Sequence, residues 1–431
     1  MAEPVVPPTA GLPLGLADLL PWGGGADDLA SALAQWLGVP AVQLECSGTS
    51  ALMVALRALR AIAPQRDEVI APAYTCPLVA LAVAQCGLKL RLCDLRADAL
   101  DMDGNVLRSL CSPQTLAVMP THLCGRVADV AQALACAHAV GAYVIEDAAQ
   151  ALGARLGTLQ GGSPLGEPVG WQGDIGFYSL AVGKGLTTFE GGVLLARDER
   201  LRQALARAGE QVRPSLFWEL RRSVELIAYA ALYRPRGLAL AYGAPLKKSL
   251  SRGDWVEAAG DDFDDLIPQH PLGRWRQRVG ARALQRLLAF LQQTAQQAAC
   301  RCARLAALSG VEVVTEVGGE GANKAHGTWP VILLRLPTAA ARDALMAQHW
   351  GDGSGLSLPF VHVLPDYGRY DHVLAATRND KVDCARDWAS RLVAVSNSPW
   401  LDGARFERLL AQIARAAGQA HTCEMAQSLK E

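Results

Sequence analysis

The stretch GFYSLAVGKGLTTFEGG, residues 176–192, decides how this chain is read. It begins with strand-like alternation through Phe177, Tyr178, Ser179 and Leu180, breaks at Gly183, and turns apolar again after Gly191 and Gly192. Between Gly183 and Gly185 stands one lysine, Lys184. A solvated surface lysine has no need of glycine on both sides. A lysine that must meet a bound group closely does, because glycine permits backbone conformations and approaches that a Cβ forbids.

Upstream of this stretch the chain repeats one rhythm. VQLECSGTS (42–50) reads as a strand ending in a turn that opens the helix ALMVALRAL. EVIAP (68–72) is a strand and TCPLVALAVAQCG (75–87) a helix, followed by the strands LRLCDL (90–95) and LAVMPTHLCG (116–125). VADVAQALACAHAVG (127–141) is a helix and AYVIED (142–147) a strand, and before them all Asp27 to Leu37 carries helical spacing. Strands alternating with helices in this way give an α/β fold with a mainly parallel sheet covered on both faces.

Three places in this frame carry groups able to do chemistry. Ser47, Gly48 and Thr49 close a strand and open a helix, so free backbone N–H groups and the positive helix end point above the sheet, where an anion fits. Ser and Thr are also ordinary N-caps. Glu146 and Asp147 follow a buried strand at the carboxyl edge, where open α/β sheets place ligands, with Gln150 three residues on. Lys184 lies just past a third strand, five residues after Ser179. An anion site, a carboxylate and an isolated lysine are the parts that hold pyridoxal phosphate: the lysine forms the Schiff base, the acid keeps the pyridine nitrogen protonated, and the helix end takes the phosphate.

The order SGTSAL, DEVIAPAYT, THLCG, VIEDAAQALGA and GDIGFYSLAVGKGLTTFEGG resembles the DegT/StrS family of sugar aminotransferases, over roughly residues 25–210. SLPFVHVLPDY (357–367) and LVAVSNSPWL (392–401) resemble it more loosely. The resemblance implies a fold type I PLP-dependent transferase whose active site lies at a homodimer interface. It makes Lys184 the Schiff-base lysine and Asp147 the pyridinium partner, sets Gln150 against the ring hydroxyl, and gives the phosphate to Thr49, Ser179 and the Gly48 backbone. His362 and Tyr367 fall in the segment that lines the family's acceptor pocket. The implied reaction moves an amino group from glutamate or glutamine to a keto sugar, usually nucleotide-linked, with the freed lysine shuttling the proton.

The chain departs from the family in three ways. Cys76 stands where an aromatic residue stacks on the pyridine ring, and a thiol offers much less contact area. The Asn-Tyr-Arg segment that reaches the partner subunit's cofactor phosphate is not recognisable near HPLGRWRQRVGARALQ (270–285), where Arg274 or Arg276 stand as substitutes. Residues 212–265 form an insertion, apolar and aromatic, threaded with Arg221, Arg222, Arg234 and Arg236, and closed by the acidic run GDDFDD. Its helical patterns read as short, against the roughly 20 apolar residues a bilayer span needs. Packing on the body or a partner subunit is its first reading, and an interfacial helix pair on a membrane surface the second. Two functional rivals stay open: a PLP enzyme of the same fold running an elimination, a dehydration or the amination of a non-sugar, and a non-catalytic binding or regulatory protein on the same scaffold.

The remainder reads as a long helix from about Arg274 to Leu308 and a smaller α+β unit, dividing the chain into 1–265 and 266–431. GGEGANKAH (318–326) lacks the Lys-Ser/Thr ending of a phosphate loop and reads as a hairpin. His122 reads as a loop-binding residue and Glu190 as a turn carboxylate. With 431 residues, 51% of them apolar, and a net charge of −1, the chain can bury a large core and carries no clustered cationic excess for nucleic acid. Eleven cysteines without a CxxC pair, and a start without a basic-then-apolar leader, fit buried thiols in the cytoplasm. No metal-ligand pattern is read.

Overall fold

Runs that stay apolar without alternation, such as Val69–Ala71 and Val193–Leu195, become strands buried on both faces. The structure, a computed structural model, describes residues 4–20, 28–157, 166–315 and 324–428. Its strands up to residue 200 are β1 (Gln43–Glu45), β2 (Glu68–Pro72), β3 (Lys89–Cys93), β4 (Thr115–Val118), β5 (Tyr143–Asp147), β6 (Arg155–Leu156), β7 (Glu167–Pro168), β8 (Ile175–Ser179) and β9 (Gly192–Ala196). Seven of them form one sheet in the order β1-β9-β8-β5-β4-β2-β3. β8, β5, β4, β2 and β3 pair in parallel, while β9 runs antiparallel to both β8 and β1. This is the expected α/β sheet, and its parallel strands all end on one edge.

Helices cover both faces. Leu52, Leu56 and Leu59 of helix Gly48–Ile62 pack with Ile145, Ile175 and Phe177 on one side, together with Leu201 and Leu205 of helix Glu199–Gly209. On the other side Leu29 and Leu33 of helix Leu29–Leu37, capped by Asp28, meet Tyr178, Val193 and Leu195. The remaining strands are β10 (Glu312–Val314), β11 (Ala325–His326), β12 (Val331–Arg335), β13 (Leu356–Ser357) and β14 (Leu392–Ser396). β10-β12-β14-β13 form an antiparallel four-stranded sheet against helices Ala339–His349 and Gly403–Ser428. β11 instead joins β6 and β7, tying the C-terminal half to the first. Residues 318–323 of the expected hairpin lie outside the described residues.

Two expectations change. The helix from Arg274 is two helices, Arg274–Leu284 and Leu287–Ala306, parted at Gln285 and Arg286. Val279 belongs to the core under the large sheet and Leu305 to the core of the small one, and the break lets one segment serve both. The insertion is more helical than its arginines implied. Leu216–Leu232 runs for 17 residues, Pro235–Leu238 continues through a π turn into Ala244–Ser251, and Trp255–Ala259 follows. Among the described residues no helix is long and apolar enough to cross a membrane.

The insertion is fastened by polar groups at its base. Arg276 is fully buried and grips Glu219 of the first insertion helix with Nε and Nη2 at 2.9 and 2.5 Å, while Nη1 donates to the carbonyls of Thr188 and Glu190. Each of its three guanidinium nitrogens is bonded within its own chain, so Arg276 is not a free substitute for a trans-subunit phosphate ligand; Arg274 is exposed. Tyr229 and Tyr233 stack at 4.5 Å between ring centroids and bond the N-terminal segment at Leu12, Gly11 and Thr9. That segment also bonds Gly185, Pro330 and Gly353 through its backbone.

A buried guanidinium stripped of its partner is expensive. Glu219→Ala is therefore expected to lower unfolding free energy by roughly 3–5 kcal/mol in urea titrations. The double variant Glu219→Ala/Arg276→Met is expected to recover most of that loss.

Candidate active site

The edge where the parallel strands end opens into a cavity of about 460 Å³, inside the range of small-molecule sites. β1 delivers the turn Ser47–Gly48, β2 delivers Thr75 and Cys76, and β4 delivers Thr121 and His122. β5 ends in Asp147, and β8 ends in Ser179 just before the Lys184 loop. Ser47, Gly48, Thr49, Cys76, Asp147, Gln150, Ser179 and Lys184, all singled out from the sequence, line this one cavity.

Local chemistry explains each position. Ser47 caps helix Gly48–Ile62, its Oγ accepting from the Ser50 N–H at 3.0 Å. That leaves the Gly48 and Thr49 N–H groups at the positive end of a 15-residue helix facing the cavity. A Cβ on Gly48 would sit 2.9 Å from the Ser179 Cβ, so only glycine lets the helix start so close to the end of β8. The glycines beside Lys184 have the same kind of reason. Gly183 and Gly185 hold φ of +80° and +82°, and a Cβ on Gly183 would strike the Thr9 Oγ1 at 2.1 Å.

The two neighbouring carboxylates separate cleanly. Glu146 is fully buried and accepts from His122 Nε2 at 3.0 Å and from the backbone N–H groups of Gly170 and Gly173. His122 Nδ1 accepts from the Ala128 N–H, which assigns the ring as the neutral Nε2–H tautomer. Both residues thereby brace the loops under the cavity. Asp147 is the one that faces it, its Oδ1 accepting from Ala149 N–H at 3.1 Å. Burial pushes its carboxyl above the usual carboxylate range, against the opposing pull of the Ala149 N–H and Lys184. Cys76 also lines the cavity, and burial pushes its thiol up to about 12. Glu190 is more than a turn carboxylate: it lines the cavity wall and ion-pairs with Arg222 of the insertion at 2.5 Å.

His362 and Tyr367 do not line the cavity. His362 is exposed, its ring edge against Tyr367 at 5.2 Å. Tyr367 is buried behind the wall, where its hydroxyl donates to Asp261 Oδ2 at 2.5 Å. Asp261 is the group that reaches the cavity there, with Tyr242 and Phe263 from the same insertion. The sequence signal for it was the acidic run after the apolar insertion, whose place over the sheet edge is a matter of tertiary packing. Burial pushes the Asp261 carboxyl up to about 6, while hydrogen bonds from Tyr367 and Val361 and the charge of Lys184 act the other way.

Known proteins place this geometry. Across 170 residues the chain is 36% identical to a GDP-perosamine synthase of Caulobacter vibrioides, covering 39% of this chain and 43% of that protein. Across 162 residues it is 39% identical to a UDP-N-acetyl-3-dehydro-alpha-D-glucosamine 3-aminotransferase of Acidithiobacillus ferrooxidans, covering 37% and 41%. The chain thus spans less than half the length of these curated relatives. Among solved structures, the sugar aminotransferase CalS13 from Micromonospora echinospora superposes with a TM-score of 0.68 at 21% identity, over 95% of this chain and all of that one. At that identity the likeness speaks for the fold, which it extends through the C-terminal half. Residues 18–212, which carry the cavity's turn, acid and lysine, match the DegT/DnrJ/EryC1/StrS aminotransferase family.

Proposed function

We propose that this chain is a pyridoxal-phosphate-dependent aminotransferase that moves an amino group from glutamate or glutamine to a keto sugar, nucleotide-linked, in the cytoplasm, and that it works as a homodimer. The observation that carries the reading is that Lys184, Asp147 and the Gly48–Thr49 helix end share one cavity. The residues fit the cofactor. A helix N-terminus whose first glycine clears Ser179 suits a phosphate dianion, and a buried acid suits a ring cation. When bound, pyridoxal phosphate supplies an electrophilic carbonyl and an electron-accepting ring.

The chain's own groups then divide the work. The Gly48 and Thr49 N–H groups and the Ser47, Thr49 and Ser179 hydroxyls would hold the phosphate, and Gln150 would bond the ring hydroxyl. Burial raises the Asp147 carboxyl, and it would stay ionised beside a protonated ring nitrogen, which would offset that cost. Lys184 Nζ would anchor the cofactor through its aldehyde and, as a free neutral amine, would carry a proton between the substrate carbon and the cofactor carbon. The positive φ on both sides of Lys184 fixes where its stem leaves the backbone, so the amine is positioned before substrate arrives. Cys76 lies along the same cavity with a small apolar face, leaving room where the family carries an aromatic ring.

Two measurements test this. Borohydride reduction of the yellow purified protein, followed by peptide mass spectrometry, is expected to leave the cofactor's mass on the Lys184 peptide; in Lys184→Ala the visible band and that adduct are both expected to vanish. In single-turnover mixing with glutamate, Asp147→Asn is expected to slow the spectral change by about 10²–10³-fold, the usual scale for removing one aligned electrostatic partner. An unchanged rate would remove Asp147 from the assignment.

A further inference from the structure

The insertion does more than pack on the body, because its end forms the cavity wall opposite the sheet edge. Tyr242, Ala258, Ala259, Gly260, Asp261 and Phe263 line the cavity there. Asp261 is 2% exposed. Its Oδ2 accepts from the Val361 N–H at 2.9 Å and from the Tyr367 O–H at 2.5 Å. The hydroxyl of Tyr370 donates to the Asp261 carbonyl and accepts from the Phe263 N–H at 2.8 Å, so the turn is clamped on both sides of the acid. Among the described residues Oδ1 has no hydrogen-bond partner. That oxygen is on the side of the residue that lines the cavity and is left for a donor there.

We propose that Asp261 recognises the acceptor, its Oδ1 accepting a hydrogen bond from a hydroxyl of the sugar ring, and that the insertion is thus a specificity element of the active site. This rests on the keto-sugar reading above. The second oxygen is held by two donors from the segment after Pro359, so the carboxylate meets the substrate already oriented, as recognition of one hydroxyl among several requires. The charged and titratable groups that face it are Lys184, Cys76, Tyr74, Tyr367 and Tyr370.

The test uses holoenzyme and non-reacting ligands, UDP-, GDP- and dTDP-glucose with their monodeoxy analogues, titrated by calorimetry. The wild type is expected to lose about ten- to a hundredfold in affinity for one deoxy analogue of the nucleotide sugar it binds, the scale of one hydrogen bond to a charged group. Asp261→Asn and Asp261→Ala are expected to bind the parent sugar with that same deficit, and Asp261→Ala no longer to distinguish parent from analogue. Equal discrimination by Asp261→Ala and the wild type would overturn the proposal alone. A wild type that binds none of the three sugars would overturn the keto-sugar reading and the proposal with it.

Thermal melting separates recognition from mere support. The folded carboxyl titrates near 6 and its ordinary value is 3.8, so the wild type loses stability as pH rises through that window, whereas neutral asparagine does not. Asp261→Asn is therefore expected to melt higher than the wild type at pH 7.5, with the gap closing by about pH 4. A variant that melts lower at both pH values would mark Asp261 as a structural ligand of Val361 and Tyr367 and overturn the proposal.

Discussion

Parallel pairing of β8, β5, β4 and β2 is the constraint from which the rest of this molecule follows. Parallel strands need a return connection across a face of the sheet, so every strand in the block ends on the same edge. Residues far apart in sequence are thereby brought to one rim: Cys76 after β2, His122 after β4, Asp147 at the end of β5, Ser179 at the end of β8. Only β9 runs back, which brings Glu190 to the same rim from the other direction.

How far this was legible in the sequence depends on how local each signal was. The strand rhythm was readable because both-face burial demands unbroken apolar runs. Lys184 was readable because positive φ on both sides and the contact with Thr9 leave glycine as the residue that fits. The pair Glu146 and Asp147 was legible only as a pair. Adjacent strand residues point to opposite faces, but which carboxylate meets the cavity was settled by Gly170, Gly173 and His122, none of them nearby in the chain. Arg276 as a free phosphate ligand, and His362 and Tyr367 as lining residues, were misplaced for the same reason. Their partners Glu219 and Asp261 belong to the insertion, which follows no pattern of the strand-and-helix block.

The insertion is joined to the Lys184 loop at several points rather than hung from the body. Arg276 spans Glu219 on the insertion and the carbonyls of Thr188 and Glu190, at the far end of the Lys184 loop. Arg222 of the insertion pairs with the Glu190 side chain. Tyr233 bonds the N-terminal segment at Gly11 and Thr9, and that segment bonds Gly185 through Leu12. A shift of the insertion would therefore have to break a buried ion pair or displace the lysine loop. Its position relative to Lys184 is thereby fixed, as the wall proposed to recognise the substrate would require.

The two acids of the cavity face the same energetic problem. Asp147 and Asp261 are both buried, and burial is the largest influence on each, raising both above the carboxylate range with Lys184 acting weakly against it. Neither arrangement makes sense as a device for stability, since an apolar side chain of similar volume would cost less. Each makes sense if its missing donor arrives from outside the chain. For Asp147 the donor proposed above is a protonated ring nitrogen; for Asp261, a backbone N–H, one tyrosine hydroxyl and a clamped turn hold one oxygen still and leave the other for a ligand. The destabilisation stored at these sites is the part of the structure most directly shaped by what it binds.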